Sequence, residues 1–303
     1  MRNLLRPSAP LPPAAPVPPP LPPGRVVAVA GQGETFVRVS GPKEGRTPVL
    51  LLHGWAATAD LNWWRTYQLL SQERQLIAPD HPGHGRGLRT EARFTLERCA
   101  DLAAGVLDAL EISKAVVVGY SMGGPIALRL WERHPERVAA LVLGATALRF
   151  DERWYDRATW RVVAVFEWLL RVTGDRWFVR RIVREVIEQD ASMEAWRGWL
   201  FGELQRGNPR DLHDAGVALS RFDGSGLVCG IDIPRAVIVT EQDQLVPPHR
   251  QQLMAEALAA PKYSIPADHS VPLVRSSVFV DALRTALDAV ERELSDPPVR
   301  EPT

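Results

Sequence analysis

The 303-residue sequence predicts an α/β fold: a doubly wound, mostly parallel sheet with an inserted helical segment. Three observations carry that expectation. Short apolar runs alternate with longer amphipathic stretches from Val26 onward. Those runs lack the in-out alternation of a half-exposed sheet, as expected of strands that helices cover on both faces. One stretch, Phe150 to about Gly226, breaks the rhythm: it has no buried-strand run, its patterns are helical, and six of the ten tryptophans cluster there.

The elements follow in order. Prolines recur through the first 24 residues, remove backbone donors and favour extended polyproline II, so residues 1–24 are expected to be a tail outside the core. Val26 to Ala30 and Thr35 to Val39, separated by Gly31 and Gly33, predict an antiparallel hairpin at the sheet edge. Buried strands are expected at Pro48 to Leu52, Gln75 to Ala78, Ala115 to Val118, Val138 to Leu143 and Ala236 to Val239. Helical periodicity marks Leu96 to Leu110 and Pro125 to His134, and a last helix runs from about Ser277 to Leu294. The core is thus expected over 25–149 and 227–295, a helical cap over 150–226, and a C-terminal tail over 296–303.

Composition narrows the function classes. Hydrophobic residues at 46% and charged residues at 24% suit a globular core. Lys+Arg and Asp+Glu both total 36, so no global field attracts nucleic acid or an anionic membrane. The prolines leave no apolar run for a signal peptide or a membrane span. Cys99 and Cys229 lie far apart with no CxxC pair, which predicts neither a zinc site nor a disulfide framework and fits a cytoplasmic protein. His81 and His84 in DHPGHG lack a third ligand and read as parts of a tight turn, so no metal is expected. Nothing in the sequence points to an oligomeric state.

The sharpest local signal is Gly119-Tyr120-Ser121-Met122-Gly123-Gly124, directly after the apolar AVVV and directly before a helical stretch. A turn from a buried strand into a helix forces its middle residue into a strained backbone region. The neighbours two residues to either side must then lack side chains, and Gly119 and Gly123 meet that demand. Ser121 is thereby lifted above the sheet edge, at the amino end of a helix whose free N–H groups favour negative charge. A serine hydroxyl needs a base, and the base needs a group that fixes its tautomer. Asp243 follows the strand AVIV, and His269 follows the short run Lys262 to Ile265. The order Ser121, Asp243, His269 is the one expected when all three sit at carboxyl ends of successive strands. Glu241 rivals Asp243 as the acid, and His249 rivals His269 as the base, though the stretch after Pro247 reads as a helix start. Tyr120 either lines the pocket or packs.

These residues resemble the α/β-hydrolase fold family, in particular its capped serine esterase-like branch, over roughly Arg25 to Leu294. Leu51-Leu52-His53-Gly54-Trp55 is similar to the family's HG motif, and Asp80-His81-Pro82-Gly83-His84-Gly85 to the loop after its fourth strand. Val246-Pro247 and Val271-Pro272-Leu273 resemble the usual flanks of the acid and the base. Thr240 and Asp268 depart from the pattern, standing where many members have glycine. The resemblance implies that the backbone N–H groups of Trp55 and Met122 form an oxyanion hole, and that no cofactor is needed.

The leading expectation is ester hydrolysis through an acyl-enzyme, acting on a small apolar acyl substrate. Lactone or C–C bond hydrolysis, acyl transfer, cofactor-free perhydrolysis and a non-catalytic ligand receptor stay open. Trp154, Trp160 and Trp168, with Tyr120, are the expected pocket residues.

Overall fold

The computed structural model describes residues 17–150 and 177–296. Strands β1 (Gly24–Val29), β2 (Gly33–Ser40), β3 (Val49–Leu52), β4 (Leu76–Pro79), β5 (Ala115–Tyr120), β6 (Val138–Gly144), β7 (Arg235–Thr240) and β8 (Lys262–Ile265) form one sheet. Their order is β1-β2-β4-β3-β5-β6-β7-β8. The first two make the expected edge hairpin, β2 runs antiparallel to β4, and every later pairing is parallel. Helices α1 (Ala59–Leu70), α2 (Leu96–Ala109) and α3 (Gly123–Arg133) supply the early crossovers. Then come α4 (Trp177–Gln189), α5 (Arg197–Leu204) and α6 (Pro209–Arg221), and after β7 the helices α7 (Pro248–Ala257), α8 (Val271–Val274) and α9 (Ser276–Ser295).

The unbroken apolar runs divide by strand periodicity between two layers. Leu50, Leu52, Val117, Leu141, Leu143, Val237 and Val239 join residues of α2, α3 and α7 in one cluster. Their neighbours Val49, Leu51, Val116, Val118, Ala140, Val142, Ala236 and Ile238 join residues of α1 and α9 on the opposite face. Each such Val or Leu contributes roughly 1.5–3 kcal/mol by leaving water. Periodicity therefore failed to show as polar alternation because both faces are dry.

One expectation is corrected, and one element was not foreseen. Residues 17–23 are not clear of the core: Pro19 is buried, Leu21 packs between the α1 and α4 layers, and Gln68 donates to the Pro20 carbonyl at 3.0 Å. Arg38 likewise donates to the Pro22 carbonyl. The proline segment supplies bare carbonyl acceptors, and long polar side chains of the sheet and α1 take them. The unforeseen element is α1, which the apolar pattern did not announce. It starts at Thr58, whose side chain accepts the Leu61 N–H at 3.2 Å, and it buries Asp60 and Thr66 among its apolar residues.

Between β6 and β7 the described chain is helical. An isolated antiparallel bridge, Arg149 to Asp223, closes the neck of this excursion, and the Gly224 N–H donates to the Leu148 carbonyl at 2.8 Å. On α4 the buried residues Val179, Val183 and Val186 recur at helical spacing. With Met193, Trp199, Leu200 and Phe201 they form a separate small core against Leu61, Trp64 and Val274.

A buried ionic cluster pins this excursion to the sheet. Asp60 accepts from Arg38 Nε and Nη2, each at 2.8 Å. Arg86 Nη2 donates to Asp60 at 2.8 Å and to Glu203 of α5 at 3.3 Å, while its Nε reaches Asp80 at 3.2 Å. Thr58 and Arg206 complete Glu203 at 2.8 and 2.7 Å. Burial raises the Asp80 carboxyl above its ordinary range; at Asp60 burial acts the same way, but the two arginines outweigh it and hold the carboxyl below that range. Removing one member of such a cluster strands the others. Glu203→Ala is expected to cost about 3 kcal/mol, and Glu203→Gln less, because the amide can still accept from Thr58. An unchanged urea midpoint for the alanine variant would show that the cluster does not anchor α5.

Among the described residues no helix is long and apolar enough to cross a membrane, and no group of His, Cys, Asp and Glu could hold a metal ion. Cys99 is buried and Cys229 exposed, and they form no disulfide.

Candidate active site

The carboxyl ends of β5, β7 and β8 bring Ser121, Asp243 and His269 together. Ser121 stands at φ 53°, in the left-handed region. That turn works only with glycine around it: a Cβ at Gly119 would lie 2.3 Å from the Gly123 carbonyl oxygen, and one at Gly123 would lie 2.0 Å from that of Leu52. The helix α3 begins at once, with the buried Met122 as its first flanking residue.

The Ser121 hydroxyl donates to His269 Nε2 at 3.0 Å, and His269 Nδ1–H donates to Asp243 Oδ2 at 2.7 Å. An ionised carboxylate only accepts, so this contact fixes the histidine tautomer and leaves Nε2 bare toward the serine. Asp243 is almost wholly buried. Burial pushes its carboxyl up, but hydrogen bonds from His269, the Val246 N–H and the Thr240 hydroxyl outweigh that and hold it below the usual carboxylate range. Oδ1 accepts from the N–H groups of Leu245 and Val246, each at 2.9 Å. Such an arrangement can take a proton from a hydroxyl as it attacks a carbonyl and return it to a leaving group.

The rivals lie elsewhere. Glu241 is exposed, its backbone N–H tied to the Ile265 carbonyl at 3.0 Å, and His249 is exposed in the first turn of α7. Asp268, one of the two departures from glycine, makes its own turn by accepting from the N–H and hydroxyl of Ser270 at 2.9 and 2.6 Å.

The loop after β3 touches the serine. A Cβ at Gly54 would sit 3.3 Å from Ser121 Cβ. Three bonds hold this loop: His53 Nδ1–H to the Gly54 carbonyl at 2.8 Å, the Gly54 N–H to Asn62 Oδ1 at 2.7 Å, and Trp55 Nε1–H to the Leu212 carbonyl of α6 at 2.8 Å. Ala56 then turns the chain at φ 56°. Asn62 escaped notice with the rest of α1, which the apolar pattern did not announce. Beneath the loop lie three buried histidines. His81 N–H donates to His53 Nε2 at 3.0 Å, His81 Nε2–H donates to the His53 carbonyl at 3.1 Å, and His84 Nδ1–H donates to the Pro82 carbonyl at 3.0 Å. The ring centroids of His53 and His81 are 4.0 Å apart.

Tyr120 packs and does not line a pocket, which corrects its place among the pocket residues. It shares the β5 face of Val116 and Val118, meets Trp63 and Phe279 edge-on, and donates its hydroxyl to the His269 carbonyl at 2.7 Å. Burial raises that phenol well above its ordinary value, so it stays a donor. Trp196 and Trp199 belong to the excursion's own core, Trp196 meeting Trp64 edge-on at 5.0 Å. Trp154, Trp160 and Trp168 lie outside the described residues. Trp55 and Met122, which flank the loop and the elbow, lie in or against the same apolar cluster as Ala147, Phe150, Ala215, Leu219 and Val246.

Comparison with known proteins identifies the family and the fold. The profile of the family described as alpha/beta hydrolase fold matches residues 47–195. The pimeloyl-[acyl-carrier protein] methyl ester esterase of Chromobacterium violaceum is 32% identical over 248 residues, covering 79% of this chain and 94% of that protein. The 2-hydroxymuconate semialdehyde hydrolase of Pseudomonas sp. strain CF600 is 38% identical over 146 residues, 47% of this chain and 52% of that protein. The chain thus spans about half the length of that relative. Among solved structures, a thermophilic esterase from Thermogutta terrifontis superposes with a TM-score of 0.74 at 24% identity, covering 89% of this chain and 99% of that one. With the elbow, the sheet order and an esterase relative matched along nearly its whole length, the chain belongs to the α/β-hydrolase family.

Proposed function

We propose that the protein hydrolyses carboxylic esters of small apolar acyl groups through an acyl-enzyme formed on Ser121. The observation that carries the reading is the continuous hydrogen-bond chain from Ser121 Oγ through His269 to Asp243, at 3.0 and 2.7 Å, starting from a strained elbow. His269 takes the serine proton during attack and returns it to the leaving alcohol; Asp243 holds the ring and stabilises the imidazolium. The N–H groups of Met122 and Trp55 receive the oxyanion, a role in which one donor is worth roughly 3 kcal/mol. Residues 150–226 act as a cap, α6 presenting Ala215 and Leu219 to the cluster that holds Met122 and Trp55.

The experiment is labelling of the purified protein with a fluorophosphonate, combined with turnover of p-nitrophenyl esters from acetyl to hexanoyl. Labelling that disappears in Ser121→Ala supports the nucleophile. Four extra methylenes, at about 0.8 kcal/mol each, should raise kcat/KM by more than ~100-fold on an apolar wall. A preference for acetate would sink the apolar acyl pocket. The likeness of about half the chain to a semialdehyde hydrolase supports a second reading, cleavage of a C–C bond beside a ketone. A 1,5-diketone in the same panel, turned over faster than every ester, would favour it.

A further inference from the structure

We propose that Thr240 and Gln251 are positioning residues that aim the Asp243 carboxylate at His269 through a directed chain of buried hydrogen bonds. The inference rests on the triad reading and deepens it. Gln251, on α7, is fully buried, as is Thr240 at the end of β7. A buried glutamine beside an acid is costly unless its carboxamide is fully used, and here it is. The Thr240 backbone N–H points at one end of the carboxamide at 3.0 Å. An N–H can only donate, so that end is Oε1 and the other is Nε2.

The orientation propagates. Gln251 Nε2 donates to the Val246 carbonyl at 2.7 Å and to the Thr240 hydroxyl oxygen at 2.8 Å, with a longer reach to Asp243 Oδ2 at 3.3 Å. The Thr240 hydroxyl, already accepting from the amide, has one proton to give. Its choices are Oε1 at 3.2 Å and the charged Asp243 Oδ2 at 2.9 Å, and the shorter, charge-assisted bond wins. The chain therefore runs from amide to hydroxyl to carboxylate, each bond polarising the next. It ends on the same oxygen that accepts His269 Nδ1–H. With Leu245 and Val246 N–H on Oδ1, the carboxylate is clamped at both oxygens, so its plane and its lone pairs are set before His269 arrives.

The test is steady-state hydrolysis of p-nitrophenyl hexanoate by the full chain, with the far-downfield proton resonance of the His269–Asp243 hydrogen bond as a second readout. Thr240→Val keeps the shape and removes the hydroxyl; Gln251→Leu removes the amide. Each is expected to lower kcat about tenfold with KM within about twofold, and to move the resonance. Thr240→Ser should return kcat to within about threefold of wild type and the resonance to its place. If Thr240→Val keeps wild-type kcat and resonance, or if Thr240→Ser is as impaired as Thr240→Val, the proposal is overturned; should Gln251→Leu fail to fold, the threonine pair decides alone. Ser121→Ala run beside them separates the two readings. A silent Thr240→Val with an inactive Ser121→Ala overturns the positioning chain alone, whereas an active Ser121→Ala removes the triad and the proposal with it.

Discussion

Ser121→Ala and His269→Ala are each expected to lower turnover by a factor on the order of 10⁶, and the double variant by little more. The reason is geometric. With its only bare nitrogen 3.0 Å from the serine oxygen, His269 has no other proton to take, and a serine without that base is a weak nucleophile. Either deletion therefore removes the same step, and near-additive losses would mean that the two groups act separately. Asp243→Asn should cost on the order of 10⁴, because the amide offers an N–H where His269 Nδ1 needs an acceptor. Glu241→Gln, at an exposed position whose backbone faces β8, should leave kcat unchanged. The reverse pattern would move the acid to Glu241.

A second large effect is expected on stability in mild acid, from the buried histidines beneath the loop after β3. Burial, reinforced by the neighbouring histidines, lowers His53 well below its ordinary value, and burial lowers His81 to about 3. A proton on His53 Nε2 would face the His81 N–H, donor against donor, so the fold holds the ring neutral. The unfolded chain takes up protons near pH 6.5, and the folded chain does not until far lower. Stability is therefore complete above about pH 6.5 and falls as pH drops toward the folded value, by about 1.4 kcal/mol per pH unit for each ring. Between pH 7 and pH 5 the two together should cost about 4 kcal/mol. Asp243 and Asp60, whose carboxyls are held low, begin to lose their share only below about pH 4, so they do not account for loss in this window. Urea midpoints at pH 7.5, 6 and 5 give the slope, which should correspond to two protons and drop to one in His81→Gln. A midpoint that does not move over this range would contradict the buried neutral pair.

The strands were legible because both faces of the sheet are covered: PVLLL and AVIV read as buried without knowledge of their neighbours. The elbow was legible for a different reason, since a serine at φ 53° tolerates only glycine two residues away, and glycine leaves a mark in the sequence. Backbone donors leave none, so Trp55 and Met122 entered only through resemblance. Helix α1 was missed because its buried face carries Asp60 and Thr66, whose partners come from elsewhere in the chain. Gln251 was invisible on the same ground: a polar side chain on a helix looks solvated until its partners on β7 are placed. Tyr120 was left open between lining and packing, and the parity of β5 decides it, putting its ring with Val116 and Val118.

The spacing of the triad along the chain has a temporal side. Ser121 and His269 are 148 residues apart, and the base arrives only with the loop beyond the last strand. On a ribosome adding 5–20 residues per second, the elbow is made about 7 to 30 s before its histidine. A nascent or prematurely terminated chain therefore carries a serine with no base to activate it.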